Sequence, residues 1–351
     1  MSKVLIFGAL DSLKKYLLKD LYINLSRKNA ALMSQRFSKL MDYTVYGGKC
    51  MRSEMLISAF TGLGKRYTEI EYKCALYVAA CFEILQSYLI ILDDIVDHGQ
   101  QRRGKPCWHT LSGVGLNAIN DAELLSISLD KALQFSLKQH PLASSIRDYF
   151  IKLKLNTTIG QILDNSTTGL NDCTWERYAD IVKHKTSYYT VCGPAQIALL
   201  LADERRYWTE TESVCLKLGY LFQAQDDFLD CFGNHNTTGK LGSDLKEGKC
   251  TWVTCKVAEM LNSSSNSSFV DYNKFFRENF GKTSDAVVDE LLNIIRLLNV
   301  DKSFLKFEKK MTAKLIDQID KFPNLGFRNA LRSFLAASLN RTKLFTEKTE
   351  V

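Results

Sequence analysis

The chain has 351 residues, of which 46% are hydrophobic and 24% are charged, an ordinary balance for a globular protein with a sizeable core. It contains only four prolines, roughly a quarter of the usual share of about 5%, so long helices can run uninterrupted. This composition excludes a disordered chain, a collagen-like repeat and a small disulfide-rich protein. Basic residues exceed acidic ones by 46 to 39, but they are dispersed, so we predict no nucleic-acid partner.

The cysteine pattern and the length of the apolar runs indicate in which cellular compartment the protein is located. The ten cysteines include no CxxC pair and no zinc-ligand spacing, and several lie among apolar neighbours, as small buried residues do. The first apolar run is too short for a signal peptide. The sequence has no stretch of 18 apolar residues, so we predict no transmembrane segment. We therefore expect a cytoplasmic protein with reduced thiols.

In chain order, apolar residues recur with helical spacing almost throughout. This spacing predicts helices over residues 9–27, 30–45, 49–63, 69–97, 119–139, 142–165, 174–202, 206–231, 270–280, 284–298, 302–320 and 325–345. Residues 69–97 are almost continuously apolar and too numerous for a strand, which predicts a central helix buried on most sides. We find no repeat and no linker, so the sequence predicts one all-α domain over residues 1–351.

Two acidic clusters of the form DDxxD lie near the ends of the 69–97 and 206–231 helices: Asp93-Asp94-Ile95-Val96-Asp97 and Asp226-Asp227-Phe228-Leu229-Asp230. Positions i and i+4 share a helix face, so the first and last aspartates of each cluster project together. Two such pairs facing one cavity would repel each other unless hard divalent cations intervened. All-oxygen ligation with few carboxylates per ion suits Mg²⁺, which shares its shell with water and phosphates.

Basic residues supply the opposite charge. A Gly-Gly turn precedes the predicted helix at 49–63, and a helix N-terminus favours an anion. Two arginines follow the first acidic cluster, and a guanidinium matches phosphate oxygens in a bidentate manner. The candidate cations are Lys49, Arg52, Arg102, Arg103, Lys185, Lys240 and Lys249. Acids and bases together predict a diphosphate held directly by cations on one side and through Mg²⁺ on the other.

Motifs along nearly the whole chain carry a resemblance to a known family. They are GGKxxR, FEILQ, DDIVD, RRGKPCW, IGQILD, VKHKTSYY, FQAQDDFLDCFG and TGKLGSDLKEGKCTW. With these motifs in this order, the sequence resembles the trans-isoprenyl diphosphate synthases, and among them the eukaryotic farnesyl diphosphate synthases. The resemblance implies a single large helical domain of the isoprenoid synthase type, with about ten or more helices around a central cavity.

The resemblance also implies an activity and an assembly. A Mg²⁺-dependent prenyltransferase would condense an allylic diphosphate, dimethylallyl or geranyl, head-to-tail with isopentenyl diphosphate to give farnesyl or geranyl diphosphate. The enzyme would be a homodimer.

Residue roles follow from the same resemblance. Mg²⁺ on the allylic diphosphate would be bound by Asp93, Asp94, Asp97, Asp226, Asp227 and Asp230. The same diphosphate would contact Arg102, Lys185 and Lys240, and isopentenyl diphosphate would be held by Lys49, Arg52, Gln86 and Arg103. The reacting prenyl chain would be lined by Thr186, Tyr189 and Gln223. Gln161 and Asp164 match the family's GQxLD motif.

Several positions depart from the family's pattern. Ser53 follows Arg52 where the family usually has glycine, and the bulky pair before the first aspartates is Tyr88-Leu89. Near the C-terminus, Arg341 and Lys343 are displaced from the usual closing basic run. Tyr88 lies five residues before Asp93, about 7.5 Å along a helix axis, so its ring would form the floor of the pocket and limit the length of the growing prenyl chain. The neighbouring Leu89 is smaller than the residue usual there and would loosen that floor.

Two other functions remain open from the residues alone. A terpene synthase derived from this fold would ionise a prenyl diphosphate to an alcohol or hydrocarbon without isopentenyl diphosphate. The altered pocket and tail favour that alternative, whereas the retained candidate cations for isopentenyl diphosphate favour the prenyltransferase. A catalytically silent regulatory subunit is a third possibility, against which the six intact aspartates argue, since an unused carboxylate cluster is destabilising.

Overall fold

Helices make up almost all of the regular structure in the computed structural model, which describes residues 2–20, 24–233, 242–263 and 267–342. Within these ranges the strands form one short antiparallel hairpin, β1 (Gln101–Arg102) and β2 (Lys105–Pro106). The predicted all-α fold is confirmed. The prediction of a single domain over residues 1–351 stays a prediction, since contacts group the chain into two compact units.

The α-helices are, in chain order, α1 (Ser2–Asp20), α2 (Arg27–Leu40), α3 (Met51–Gly62), α4 (Glu69–Val96), α5 (Ala118–Ser136), α6 (Ala143–Asn165), α7 (Trp175–Ile181), α8 (Gly193–Leu201), α9 (Trp208–Phe232), α10 (Ser243–Glu247), α11 (Trp252–Ser263), α12 (Ser267–Asn279), α13 (Asp285–Leu297), α14 (Val300–Asp320) and α15 (Leu325–Leu339). Short 3-10 helices lie at Trp108–Thr110, Gly115–Asn117, Leu170–Asp172 and Arg205–Tyr207. Two segments, Met41–Val45 and Val182–Cys192, have π-helical hydrogen bonding.

The first unit comprises Met1–Lys152, Gly193–Thr211 and Pro323–Leu331, with α4 as its central helix. A capping box starts α4: the Thr68 hydroxyl accepts from the Glu71 N–H, and the Glu71 carboxylate accepts from the Thr68 N–H at 2.7 Å. By length and hydropathy α4 could span a membrane, but 61% of its most apolar window is buried in the protein. It is the core helix that the sequence predicts.

The second unit comprises Leu153–Cys192, Glu212–Phe322 and Arg332–Val351. Its core is aromatic: the Phe228 ring stacks on Phe304 with centroids 4.1 Å apart, and Trp252 meets Phe304 edge-on at 5.2 Å. Such ring pairs add stability beyond the area they bury. Because Phe228 follows Asp227 directly, this core fixes α9 where it carries the second acidic cluster.

The predicted 174–202 helix is continuous, but it changes its hydrogen-bonding pattern in the middle. The π-helical segment Val182–Cys192 joins α7 to α8, and Pro194 in the first turn of α8 cannot donate a helical hydrogen bond. Single π-bulges often occur at functional sites, and this segment carries the predicted site residues Lys185, Thr186 and Tyr189.

Two glycines bring neighbouring helices against this segment. A Cβ added at Gly160 of α6 would lie 2.6 Å from the Cα of Lys185, and one added at Gly219 of α9 would lie 2.5 Å from the Cα of Ser187. Real Cβ atoms do not approach backbone so closely. Both helices therefore reach the π-helical segment only because these positions have no side chain.

Several helix bounds differ from the predicted ones. The first helix spans Ser2–Asp20 instead of 9–27, because Ile6, Leu10, Leu13 and Leu17 form its buried stripe and Ser26 caps the next helix. The sequence reading also missed α10, α11 and the β1–β2 hairpin.

The close approach at Gly160 predicts the stability of an alanine variant. Gly160→Ala should lower the free energy of unfolding by about 1–3 kcal/mol, because the methyl group overpacks against the Lys185 backbone. Gly8→Ala is the matched control: Gly8 lies inside α1, and no atom of the described residues lies within 4 Å of its Cβ position, so the free energy of unfolding should rise by roughly 0.5–1 kcal/mol. Urea denaturation measures both, and equal stabilisation by the two variants would contradict the close packing.

Candidate active site

The first acidic cluster lies at the C-terminal end of α4 and is neutralised from the hairpin. Arg102 on β1 donates from Nε to Asp94 Oδ1 at 2.6 Å and from Nη2 to Asp93 Oδ2 at 3.0 Å. Asp94 is buried, and burial raises the pKa of its carboxyl group, with Arg102 acting in the opposite direction. Asp97 caps the helix, its N–H donating to the Asp93 carbonyl. Arg102, predicted to contact substrate, is here engaged by two aspartates of the predicted metal cluster.

The hairpin that carries Arg102 has a two-residue turn. Arg103 and Gly104 both have left-handed backbone, with φ of +55° and +72°, and Arg102 pairs with Lys105 across the strands. Positive φ at both central residues is the type I′ geometry that suits a tight hairpin. For arginine this conformation costs of order 1–3 kcal/mol, a strain typical of functional sites. The turn directs Arg102 toward the aspartates and Arg103 toward α3.

A cationic cluster surrounds the N-terminus of α3 in the same unit. Arg52, in the first turn of α3, donates from Nη1 to Gln86 Oε1 of α4 at 3.0 Å. A Cβ added at Gly48 would lie 3.3 Å from Arg103 Nη1, so the glycine leaves room for that guanidinium. Lys49 is exposed in the turn before α3. The structure thus places the four residues predicted to hold isopentenyl diphosphate around one helix N-terminus.

The buried carboxylate of Glu83 lies behind these cations, and sequence reasoning missed it. Its Oε1 accepts from the Ser53 hydroxyl at 2.6 Å, and its Oε2 is 3.3 Å from the Cβ position of Gly48. Desolvation raises the pKa of Glu83, while Ser53, Arg52 and Arg103 act to lower it. The signal in the sequence was the glutamate within the apolar text FEILQ.

In the second unit, the middle aspartate of the second cluster is almost fully buried and held by three donors. Asp227 accepts from the Tyr178 hydroxyl at 2.6 Å, from Gln223 Nε2 at 2.8 Å and from the Trp252 N–H at 2.8 Å. Desolvation raises its pKa to about 6 against the effect of these donors. Thr186 Oγ1 donates to Gln223 Oε1 at 2.5 Å, which extends the chain of hydrogen bonds into the π-helical segment.

The last aspartate of this cluster meets the N-terminus of α10. Asp230 accepts from the Ser243 hydroxyl at 2.6 Å and from two backbone N–H groups at 3.2 Å. Desolvation raises the pKa of Asp230 and that of Asp244. The Asp230 carboxylate raises the pKa of Asp244 further, and Lys249 acts to lower both. Asp244 lies in the TGKLGSD motif and was not predicted as a site residue. Lys240 lies outside the residues that the structure describes.

The first aspartate of the second cluster is paired with the C-terminal end of the chain. Arg341 forms an ion pair with Asp226 and places its guanidinium 4.3 Å from the Phe222 ring centroid. A buried network anchors this end of α15: Thr342 and Gln225 both donate to Glu308, at 2.8 and 2.7 Å, and Ser338 bonds to Gln225. Arg341, which lies outside the usual position of the closing basic run, therefore pairs with an aspartate of the predicted metal cluster.

Two further predicted residues meet at the π-helical segment. Lys185 Nζ donates to Asp164 Oδ2 of α6 at 2.5 Å, and Asp164 is buried. The side-chain nitrogen of Gln161, one turn earlier on α6, is buried and lacks a hydrogen-bond partner within the described residues. A buried amide nitrogen in that state favours an acceptor from outside the protein, such as water or a phosphate oxygen. Tyr189 is half-buried in the same segment.

The aspartates of the two acidic clusters suit a metal ion whose coordination shell is completed by substrate. In residues 2–20, 24–233, 242–263 and 267–342, no group of three His, Cys, Asp or Glu side chains is arranged to hold a metal by itself. The carboxylates of Asp94, Asp227 and Asp230 are nevertheless desolvated, and a bound cation would favour their ionised form. Few carboxylates per ion, with the remaining positions left to water and phosphate, is the coordination that Mg²⁺ uses.

Comparisons with known proteins agree on one family. Residues 34–295 match the family described as Polyprenyl synthetase. The chain is 33% identical over 317 residues to farnesyl pyrophosphate synthase of Panax ginseng, covering 88% of this chain and 91% of that one. It is 32% identical over 317 residues to farnesyl pyrophosphate synthase 2 of Arabidopsis thaliana, with the same coverage.

A solved structure gives the fold. The T. brucei farnesyl diphosphate synthase complexed with risedronate aligns with a TM-score of 0.87 and 23% identity, covering 96% of this chain and 99% of that one. The fold is therefore that of the isoprenoid synthases, as the sequence motifs predict.

The hydrogen bond between Tyr178 and Asp227 predicts a stability difference between two tyrosine variants. Tyr178→Phe should lower the free energy of unfolding by about 1.5–3 kcal/mol, because a desolvated carboxylate loses a donor. Tyr220→Phe is the matched control: its ring packs edge-on against Tyr178, 5.3 Å between centroids, and within the described residues its hydroxyl makes no side-chain hydrogen bond. Denaturant titrations compare them, and equal effects would show that Asp227 does not depend on Tyr178.

Proposed function

This chain belongs to the polyprenyl synthetase family and is a prenyltransferase, and we propose that it condenses an allylic diphosphate head-to-tail with isopentenyl diphosphate to give farnesyl diphosphate. The observation that carries the proposal is the cluster of Lys49, Arg52, Gln86 and Arg103 at the N-terminus of α3. A terpene synthase has no use for a second diphosphate site. The curated relatives are named farnesyl pyrophosphate synthases, so the terpene synthase alternative is not favoured.

We propose that both acidic clusters bind Mg²⁺ together with the allylic diphosphate. The ligands would come from Asp93, Asp94, Asp97, Asp226, Asp227 and Asp230. Support comes from the desolvation of Asp94, Asp227 and Asp230. It also comes from the arginine that already neutralises the first aspartate of each cluster, Arg102 or Arg341. When bound, Mg²⁺ supplies Lewis acidity to the leaving diphosphate. Arg102, Lys185 and Lys240 would contact the same diphosphate.

Residues of the π-helical segment would act on the carbon chain. Ionisation of the allylic C–O bond releases diphosphate with the bonding electrons and leaves positive charge on the prenyl chain. The isopentenyl double bond attacks this cation to form the new C–C bond, and the departed diphosphate then accepts the proton that is lost. The Thr186 hydroxyl hydrogen is used by Gln223, so its oxygen lone pairs remain for that positive charge. Tyr189 and Gln223 would add their dipoles. An apolar, water-poor pocket is needed so that water does not trap the cation.

Assembly and location complete the proposal. Apolar side chains form an exposed stripe along α6, with Ile151, Leu155 and Ile162 each more than half exposed at spacings of four and seven residues. Such a stripe on a polar protein favours cover by a partner, and we propose a second copy of this chain. A molar mass in light scattering equal to one chain would contradict the homodimer.

All ten cysteines are free thiols, which supports a cytoplasmic location, although one relative in Arabidopsis thaliana is named mitochondrial.

The substrate requirement tests the function. With Mg²⁺ and geranyl diphosphate, we expect product only when isopentenyl diphosphate is also present, and farnesyl diphosphate as that product. Hydrocarbon or alcohol formed at the same rate from geranyl diphosphate alone would support the terpene synthase instead. Chromatography with mass detection separates these products.

The Arg103 guanidinium predicts which substrate depends on it. Arg103→Gln should raise KM for isopentenyl diphosphate by about 10- to 150-fold, which corresponds to the roughly 1.5–3 kcal/mol of one charge-assisted hydrogen bond. KM for geranyl diphosphate should change much less, because Arg103 turns toward α3 and away from the aspartates that Arg102 contacts. Lys105→Gln, on the exposed strand next to the turn, is the control. Equal increases in both KM values would contradict the assignment.

Product length is proposed to depend on Tyr88 and Leu89, which are half-buried on α4 one to two turns before the first acidic cluster. A chain growing away from the diphosphate would meet the Tyr88 ring. Tyr88→Ala should therefore shift the product to geranylgeranyl diphosphate or longer, as measured by mass spectrometry after dephosphorylation. Farnesyl diphosphate as the unchanged product of a folded variant would show that another residue forms the floor.

A further inference from the structure

The hydrogen bond between Ser53 and Glu83 points to a positioning role for a residue outside the predicted site. We propose that Ser53 sets the affinity for isopentenyl diphosphate by holding the Glu83 carboxylate away from the Arg103 guanidinium. The inference rests on the proposed function, since it assumes that Arg103 binds that diphosphate. Ser53 itself contacts no substrate and acts through Glu83.

Ser53 lies on α3 with its side chain fully buried against α4. Its hydroxyl hydrogen is shared between Glu83 Oε1 at 2.6 Å and the Ala79 carbonyl oxygen at 2.8 Å. Glu83 is 2% exposed, so water cannot replace this donor if the hydroxyl is removed. A bond of 2.6 Å from a hydroxyl to a carboxylate is at the strong end of the range for side chains. Ser53 therefore fixes one oxygen of the glutamate.

Arg103 approaches the same carboxylate without pairing with it. Glu83 Oε2 and Arg103 Nη1 both lie 3.3 Å from the Cβ position of Gly48, so the two charged groups share the space that the glycine leaves. Glu83 has a direct side-chain hydrogen bond with Ser53, whereas Arg103 acts on Glu83 through charge at longer range. Within the part of the chain that the structure describes, no hydrogen bond occupies the donors of Arg103, which leaves them for a diphosphate.

A direct ion pair between Glu83 and Arg103 would stabilise the charged form of both side chains. Desolvation raises the pKa of Glu83 and lowers the pKa of Arg103, which means that burial disfavours the charged form of each. A direct pair would relieve both groups and would occupy guanidinium donors in the fork geometry that a phosphate also uses. Without the Ser53 hydroxyl, Glu83 would compete with isopentenyl diphosphate for Arg103.

The neighbouring arginine provides a contrast. Arg52 precedes Ser53 in sequence, but its Nη1 is held by Gln86 Oε1 at 3.0 Å, from the next turn of α4. Gln86 thus accepts from one donor of Arg52, while both Arg52 and Arg103 act on the restrained Glu83 carboxylate through charge. The hydroxyl of Ser53 is what makes this restraint of Glu83 possible.

A positioning role for Ser53 is distinguished from a packing role by measuring the constants for isopentenyl diphosphate separately from kcat and from KM for geranyl diphosphate. Ser53→Ala should raise both KM and the calorimetric dissociation constant for isopentenyl diphosphate by about three- to tenfold, the effect of one hydrogen bond. KM for geranyl diphosphate and kcat should stay at wild-type values. Ser128→Ala removes another fully buried helical hydroxyl, on α5, and should change none of these constants.

A second-site variant makes the test specific to Glu83. In Ser53→Ala/Glu83→Gln the competing charge is gone, so affinity for isopentenyl diphosphate should return to the wild-type value or exceed it. Weakened binding that persists in the double variant would overturn the proposal, as would unchanged binding in Ser53→Ala. If the wild-type protein itself neither binds nor condenses isopentenyl diphosphate, the proposed function fails instead.

Discussion

Negative charge at the ends of two buried helices is the constraint that organises this protein. Carboxylates near the C-terminus of a helix oppose its dipole, and burial adds a desolvation cost. Both α4 and α9 carry such groups, and in each cluster the first aspartate is paired with an arginine: Arg102 from the hairpin after α4, or Arg341 from the C-terminal end of the chain. The surrounding donors offset part of this cost and hold the carboxylates in fixed orientations.

The two clusters meet this constraint differently. At α4, a strained two-residue turn brings Arg102 onto Asp93 and Asp94. At α9, neutral donors hold Asp227, while the N-terminus of α10 receives Asp230. Fixed donors of this kind cost little reorganisation when charge develops, which suits a reaction that separates a diphosphate anion from a carbocation.

Much of the fold and of the site could be predicted, because the determining signals are local. Unbroken apolar spacing predicts the helices, and DDxxD after an apolar run predicts where the carboxylates lie. The contacts that complete the site are not local. Arg341 pairs with Asp226 across 115 residues, and Ser53 bonds to Glu83 on another helix, so neither leaves a pattern in its own segment. The turn at Arg103-Gly104 was missed because arginine is not a usual residue at positive φ.

The most direct test of the account is whether Mg²⁺ and a diphosphate bind as one unit. Thermal unfolding should be followed with Mg²⁺ alone, inorganic pyrophosphate alone and both together, at fixed protein concentration. Ligands that complete each other's site raise the melting temperature jointly by mass action. The account predicts a joint rise larger than the sum of the separate ones, abolished by EDTA and reduced in Asp93→Asn and Asp226→Asn proteins. Additive shifts, or a joint rise that survives EDTA, would contradict it.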